Sequence, residues 1–227
     1  MLVRRSRKVA SMGEQKLQKL PSVRRLPIYL HKLMEMRRAG QDIVATPELA
    51  KYMQCSEIAV RKDLAITGAA GQPGVGYRIK DLIDAILSYL NWNNRCEAVL
   101  AGAGCLGAAL MGYDGFDEYG LKIIAAFDSD PAKIGGTVHG RQIFDIRRLP
   151  ELCSRLQVGL GIICVPARYA QEVADLMVDG GIRGIWNFSN VRLQVPERVA
   201  VQREVIAGGL AELSVKLRHG GPPDGRK

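Results

Sequence analysis

In Cys96–Leu110, CEAVLAGAGCLGAAL, an apolar run leads into Gly102, Gly104 and Gly107, spaced G-x-G-x-x-G, and then into small helix-forming residues. A strand, a tight turn and a helix start in that order form a dinucleotide-binding fingerprint. A pyrophosphate is doubly negative, and the free N–H groups and positive dipole end of a helix N-terminus suit it. Gly102 is expected to make the turn, Gly104 to leave room for the phosphates, and Gly107 to let helix and strand lie close. Ala103, Cys105 and Leu106 complete the loop. Asp128 ends LKIIAAFD, 21 residues after Gly107, where a carboxylate accepts hydrogen bonds from both ribose hydroxyls and repels a 2′-phosphate. Asp130 adds a second negative charge and no arginine adjoins, which favours NAD(H) over NADP(H). The plainer alternative for Asp128 is a cap on the following turn. Cys105 sits where a helix N-terminus lowers a thiol pKa, or simply fills the turn with a small side chain.

Further along, ICVPA brings Val165, Pro166 and Ala167 to a strand's carboxyl end, where open α/β sheets bind ligands. NFS, residues 187–189, ends the next strand. Hydride transfer requires a substrate pocket and usually a general acid or base. The three histidines are His31 in the basic half, His139 at a turn and His219 near the tail, and no substrate domain follows the fingerprint. Cofactor binding without catalysis is the simpler expectation. An NAD-dependent dehydrogenase with an appended basic domain, or a CoA- or nucleotide-binding module, are the alternatives.

The elements holding these residues fall into two unlike halves. Residues 1–95 carry 17 Lys and Arg against 8 Asp and Glu, while residues 96–227 carry 15 of each. The whole net charge of +9 therefore precedes the fingerprint, so the first half is the one expected to meet a polyanion. Residues 1–22 read as a basic disordered arm. VRRLPIYLHKLMEMRRAG places Leu26, Leu30, Leu33 and Met34 on one helical face, and Gly40 stops it. ATPELAKYMQ offers Thr46 as N-cap and Pro47 as first helical residue. CSEIAVRKDLAIT starts a third helix capped by Ser56, with Ile58, Ala59 and Leu64 expected inward and Arg61 and Lys62 outward. Two short helices around a tight turn, the second showing adjacent cations, match a helix-turn-helix on DNA. GAAGQPGVGYRI then reads as a glycine-rich wing bearing Gly74, Tyr77 and Arg78, and KDLIDAILSYLNW as an amphipathic helix ending a domain near residue 93.

Beyond it, strands are expected at 97–101, 121–127, 160–165 and 183–188, with helices near 105–113, 147–156 and 168–179. The fold class is α/β: a winged helix-turn-helix domain over 23–93, then a Rossmann-type doubly wound parallel sheet over 94–203. EVIAGGLAELSVKLRHG gives a C-terminal helix over 204–219 with Ile206, Leu210, Leu213 and Leu217 in one stripe. Gly208 and Gly209 weaken it by roughly 1 kcal/mol each, so it needs a surface to pack on, a partner subunit or its own sheet. Residues 220–227 read as a disordered tail. Hydrophobic residues make up 47%, enough for a packed core, and no apolar run reaches the ~20 residues of a membrane span. Five cysteines without a C-x-x-C pair argue against zinc or a disulfide framework, and no signal-peptide segment follows the basic start, so the expected location is cytoplasmic.

In order and spacing, RLPIYLHKL, VRKDL followed by GVGY, GAGCLGAAL, AAFDSDPAKIG, VPARYAQEVAD and GIRGIWNF resemble the Rex family of redox-sensing transcriptional repressors over about residues 24–219. The resemblance implies a winged helix on operator DNA, a Rossmann domain binding NADH or NAD⁺, and a homodimer with swapped C-terminal helices that NADH releases from DNA. It also implies that Tyr113, near the cofactor, pairs with an aspartate of the partner's helix. That position here is Val205, between Glu204 and Ile206. A second departure follows RKDL: Ala65, Ile66 and Thr67 replace the family's aromatics, and Gln72 and Pro73 replace cations before GVGY.

Overall fold

A computed structural model describes residues 20–218. Residues 1–19 of the arm expected over 1–22, the tail over 220–227 and His219 lie outside the described residues. The chain divides into two compact units between Asn94 and Arg95.

In the first unit the order is α1 (Leu20–Arg38), β1 (Ile43–Val44), α2 (Thr46–Met53), α3 (Glu57–Ala65), β2 (Tyr77–Arg78) and α4 (Ile79–Leu90). Leu26, Leu30, Leu33, Leu49, Leu64 and Ile86 meet in a core with no exposed area. Leu20–Ser22, expected in the arm, are helical: the Ser22 side chain and Arg25 both bond Asp63, tying this end of α1 down. Thr46 is the first helical residue and is buried, so Ala45 takes the N-cap position. Ser56 caps α3 by accepting the Ala59 N–H at 3.2 Å. The inward face of α3 is corrected: Val60, Asp63 and Leu64 are buried, whereas Ile58 is 63% exposed. Sequence periodicity treats the charged Asp63 as outward, but an ion pair lets a carboxylate occupy a core position and rotates Ile58 to the surface. The wing is a two-stranded sheet in which β2 pairs antiparallel with β1, Val44 opposite Tyr77, and a Gln72–Gly76 bridge closes its tip.

The second unit is built on a seven-stranded sheet. Its elements are β3 (Cys96–Ala101), α5 (Cys105–Met111), α6 (Gly115–Glu118), β4 (Leu121–Asp128), β5 (Thr137–Val138), β6 (Arg141–Asp145), α7 (Leu149–Leu156), β7 (Leu160–Ile163), α8 (Ala170–Asp179), β8 (Gly184–Asn187), β9 (Ala200–Arg203) and α9 (Ala207–Arg218). The strand order is β5-β6-β4-β3-β7-β8-β9, with β5 antiparallel at one edge and all other pairs parallel. This is the doubly wound order, and its direction reverses between β3 and β7, where such sheets open a crevice. One core, including Val99, Phe127, Leu152, Ile163, Val173 and Met177, fills one side of the sheet, and Leu100, Met111 and Ile162 belong to a second cluster. The C-terminal helix starts at Ala207, so Glu204, Val205 and Ile206 precede it. Every residue of α9 is exposed, and Ile206, Leu210, Leu213 and Leu217 show between 52% and 68% of their surface.

Candidate cofactor cleft and nucleic-acid interface

At the switch point the β3–α5 loop is packed as the glycine spacing demands. Gly102 has φ +100°, a left-handed conformation, and its N–H donates to the Phe127 carbonyl at 2.8 Å. A side chain there would also meet the Cys164 carbonyl at 2.7 Å. At Gly107 a Cβ would collide with the Gly102 carbonyl and press Leu100 at 2.9 Å, so this glycine brings α5 onto the loop. Gly104 faces open space.

That open space is a cleft of about 750 Å³ lined by Gly102, Gly104, Leu106, Asp128, Val165 and Pro166, joined by Lys133, Ile146, Tyr169 and Phe188. Ala103, Cys105, Gly107 and Ala167 are not among its lining residues; Gly107 acts through packing, and Ala167 begins a 3₁₀ turn. Burial pushes the Cys164 thiol up to about 12, leaving it a neutral, inert wall group.

Asp128 closes β4 and is nearly buried. Its Oδ2 accepts the Ala103 N–H at 2.9 Å and the Lys133 ammonium at 3.1 Å, while Oδ1 accepts the Asp130 N–H at 2.9 Å. Burial alone raises a carboxyl pKa, but the Asp130 N–H, Lys133 and the Ala103 N–H outweigh it and hold Asp128 below the usual carboxylate range. Lys133 is the residue the sequence reading missed. No arginine adjoins Asp128, yet a cation does, and the signal was the five-residue spacing within DSDPAK around a turn. Within NFS, Phe188 reaches the cleft, whereas Asn187 and Ser189 are buried and bond each other.

Tyr113 does not line the cleft. It is 53% exposed and edge-on to Phe116, which meets Trp186, which meets Phe188 at the cleft wall. Glu204 accepts the Trp186 indole N–H at 3.1 Å, while Val205 and Ile206 are exposed. Thus Tyr113 and Glu204 are connected through rings rather than by direct contact. Among the described residues no cluster of three or more His, Cys, Asp or Glu could hold a metal ion, and no helix is long and apolar enough to cross a membrane.

In the first unit, α3 turns Ile58, Arg61, Lys62 and Ala65 outward. Arg61 lines a groove of about 480 Å³ with Glu57, Pro47, Gly74 and Tyr77, so the structure brings α3 together with the wing residues Gly74 and Tyr77. Arg78, Lys62 and Ser56 are exposed outside that lining. Behind α3, Arg25 grips Asp63 through Nε at 2.6 Å and through its terminal nitrogen, and Tyr29 donates to the same carboxylate at 3.0 Å. The orientation of α3 is thereby set by a buried polar anchor.

Two family models match this chain: "Putative DNA-binding protein N-terminus" over residues 20–65 and "CoA binding domain" over residues 93–191. Among curated proteins, the redox-sensing transcriptional repressor Rex of Treponema denticola is 43% identical over 206 residues, covering 91% of this chain and 98% of that protein. The chain belongs to the Rex family. The Rex protein of Pelotomaculum thermopropionicum is 41% identical over 86% of this chain and 92% of its own length. A crystal structure of RSP with β-NAD⁺ and operator DNA superposes with a TM-score of 0.81 at 29% identity, covering 88% of this chain and 92% of that one. RSP with β-NADH gives 0.80 at 27% identity, covering 88% and 94%. Rex membership spans both units, since the Treponema match covers nearly the whole chain.

Proposed function

We propose that this protein is a redox-sensing transcriptional repressor that binds operator DNA as a homodimer, is released when NADH binds, and catalyses no reaction. The observation that carries this reading is one chain combining a doubly wound cleft ended by a shielded carboxylate with a winged helix that, together with the basic segment preceding it, holds the entire positive excess. Rex-family RSP, solved with NAD⁺ and operator DNA and with NADH, supports it. The residues present fit the cofactor: the loop at Gly104 opens on free volume, and Asp128 stays ionised at the cleft. Gly102, Gly104 and Leu106 would hold the pyrophosphate end, Asp128 the ribose hydroxyls, and Val165, Pro166 and Phe188 the apolar wall. When bound, NAD(H) supplies a ring that is cationic if oxidised and neutral if reduced. A pocket preferring one form shifts the population bound to DNA. Full switching takes ~5.5 kcal/mol of differential affinity, and smaller preferences give graded control.

On the DNA side, α3 enters the major groove with Arg61 and Lys62, and the wing tip at Gly74, Tyr77 and Arg78 approaches phosphates. The α9 stripe pairs two subunits, and the protein resides in the cytoplasm with its DNA. Gel shifts with a palindromic duplex, titrated separately with NADH and NAD⁺, test the proposal. NADH is expected to release the duplex at concentrations where NAD⁺ does not; equal effects of the two overturn it. The match to a CoA-binding model keeps one other reading open. Displacement of bound NADH by CoA would favour it, and turnover of small alcohols or hydroxy acids with NAD⁺ would favour an enzyme.

A further inference from the structure

The outward face of α3 carries one group at odds with a surface that meets a polyanion. Glu57 opens the helix, and its Oε2 lies 2.8 Å from the terminal nitrogen of Arg61, one helical turn on. The two side chains are 44% and 60% exposed, and both line the groove between α3, the start of α2 and the wing. Exposed pairs of this type contribute little to stability. As the acidic residue of the first turn Glu57 favours the helix dipole only modestly at an exposed site, and Ser56 already caps the helix while the Arg25–Asp63 pair anchors it. Next to phosphates a carboxylate is repelled, and it cancels the attraction of the cation it holds.

What Glu57 does accomplish is steric and electrostatic. An arginine fork can contact a phosphate, which carries no sequence information, or grip the O6 and N7 of a guanine, which does. Held on one side by Glu57, the Arg61 guanidinium keeps its other edge free, while the carboxylate disfavours a phosphate beside it. We infer that Glu57 is a specificity-determining residue that reserves Arg61 for a guanine edge. This rests on the proposed DNA-binding function. It resembles other discriminating surfaces, in which a repulsive element supplies part of the selectivity.

The test uses the full-length dimer, a palindromic duplex selected by the wild-type protein from a random library, the same duplex with each base pair changed in turn, and an unrelated duplex, all across a KCl series. Removing the charge (Glu57→Gln) or the side chain (Glu57→Ala) is expected to tighten binding to unrelated DNA. Both should steepen the log–log salt slope by about 0.9, the signature of one added phosphate contact. Discrimination at one G·C pair per half-site should fall about tenfold. Arg61→Ala should lose the same discrimination with the salt slope unchanged, and the double variant should match it. NADH affinity and melting temperature serve as controls and are expected to stay put. Variants of Glu57 with unaltered slope and unaltered base preference overturn the inference, as does a slope reduced by Arg61→Ala. Wild-type protein that shifts no duplex, with or without cofactor, overturns the DNA-binding reading itself, a result distinct from either.

Discussion

Asp128 is held by three donors at once, two backbone N–H groups and the Lys133 ammonium. Those contacts do more than cap a turn: they keep the carboxylate charged and aimed at a cleft that the glycine loop leaves open. Replacing Asp128 by alanine should weaken NADH binding about 10- to 100-fold, the value of one or two hydrogen bonds to a charged acceptor. Operator affinity without cofactor should not change. Calorimetric titration of NADH together with gel shifts checks both, and undiminished NADH affinity would remove Asp128 from the site. The glycines and Asp128 were legible because their chemistry is written in spacing. Lys133 was not, because its approach to Asp128 depends on how the 129–133 turn folds back.

Among the elements, α3 is set by an ion pair between the buried Asp63 and the partly exposed Arg25, and its register could not be read from hydrophobic periodicity. Burial opposes ionisation of Asp63, but Arg25, with help from the Ser22 and Tyr29 side chains, overcomes this and lowers its pKa. A carboxylate whose folded pKa is depressed contributes stability that is complete above its ordinary range and is lost as pH falls through the folded value. As pH falls through and below the ordinary carboxylate range, the wild-type protein should therefore lose melting temperature in excess of Asp63→Asn, which lacks the titrating group. At neutral pH, Asp63→Asn should itself cost about 1.5–3 kcal/mol, the worth of a charged hydrogen bond. Thermal unfolding across pH measures both; parallel pH profiles for the two proteins would show that the pair contributes nothing. The α3 charges themselves, Arg61 and Lys62, were placed outward by sequence and are exposed. Ile58 went the other way, since an apolar residue is assigned inward unless a charge is known to have taken its place.

At the scale of the molecule, the exposed stripe of α9 is an unmet demand. Ile206 just before the helix and Leu210, Leu213 and Leu217 on it stand in water, on a helix weakened by two glycines; they call for a cover, and our reading supplies it from a second subunit. Leu213→Asp should shift the protein from dimer to monomer in sedimentation velocity and remove tight operator binding, because two half-sites are then engaged independently. A dimer that persists with full operator affinity would place the interface elsewhere. The sequence by itself determined the two-part organisation, the glycine fingerprint, the parallel alternation and the cationic first half. Each of these is encoded locally, in periodicity, spacing or composition. Only the tertiary structure decided that β9 adds a strand to the sheet edge, that Ile43–Val44 partners the wing, that Asp63 is a core residue and that Lys133 meets Asp128. The physical reason is common to all four: short strands and ion pairs owe their geometry to partners that only the folded backbone brings into reach, whether distant along the chain or across a turn, and spacing alone does not fix that approach.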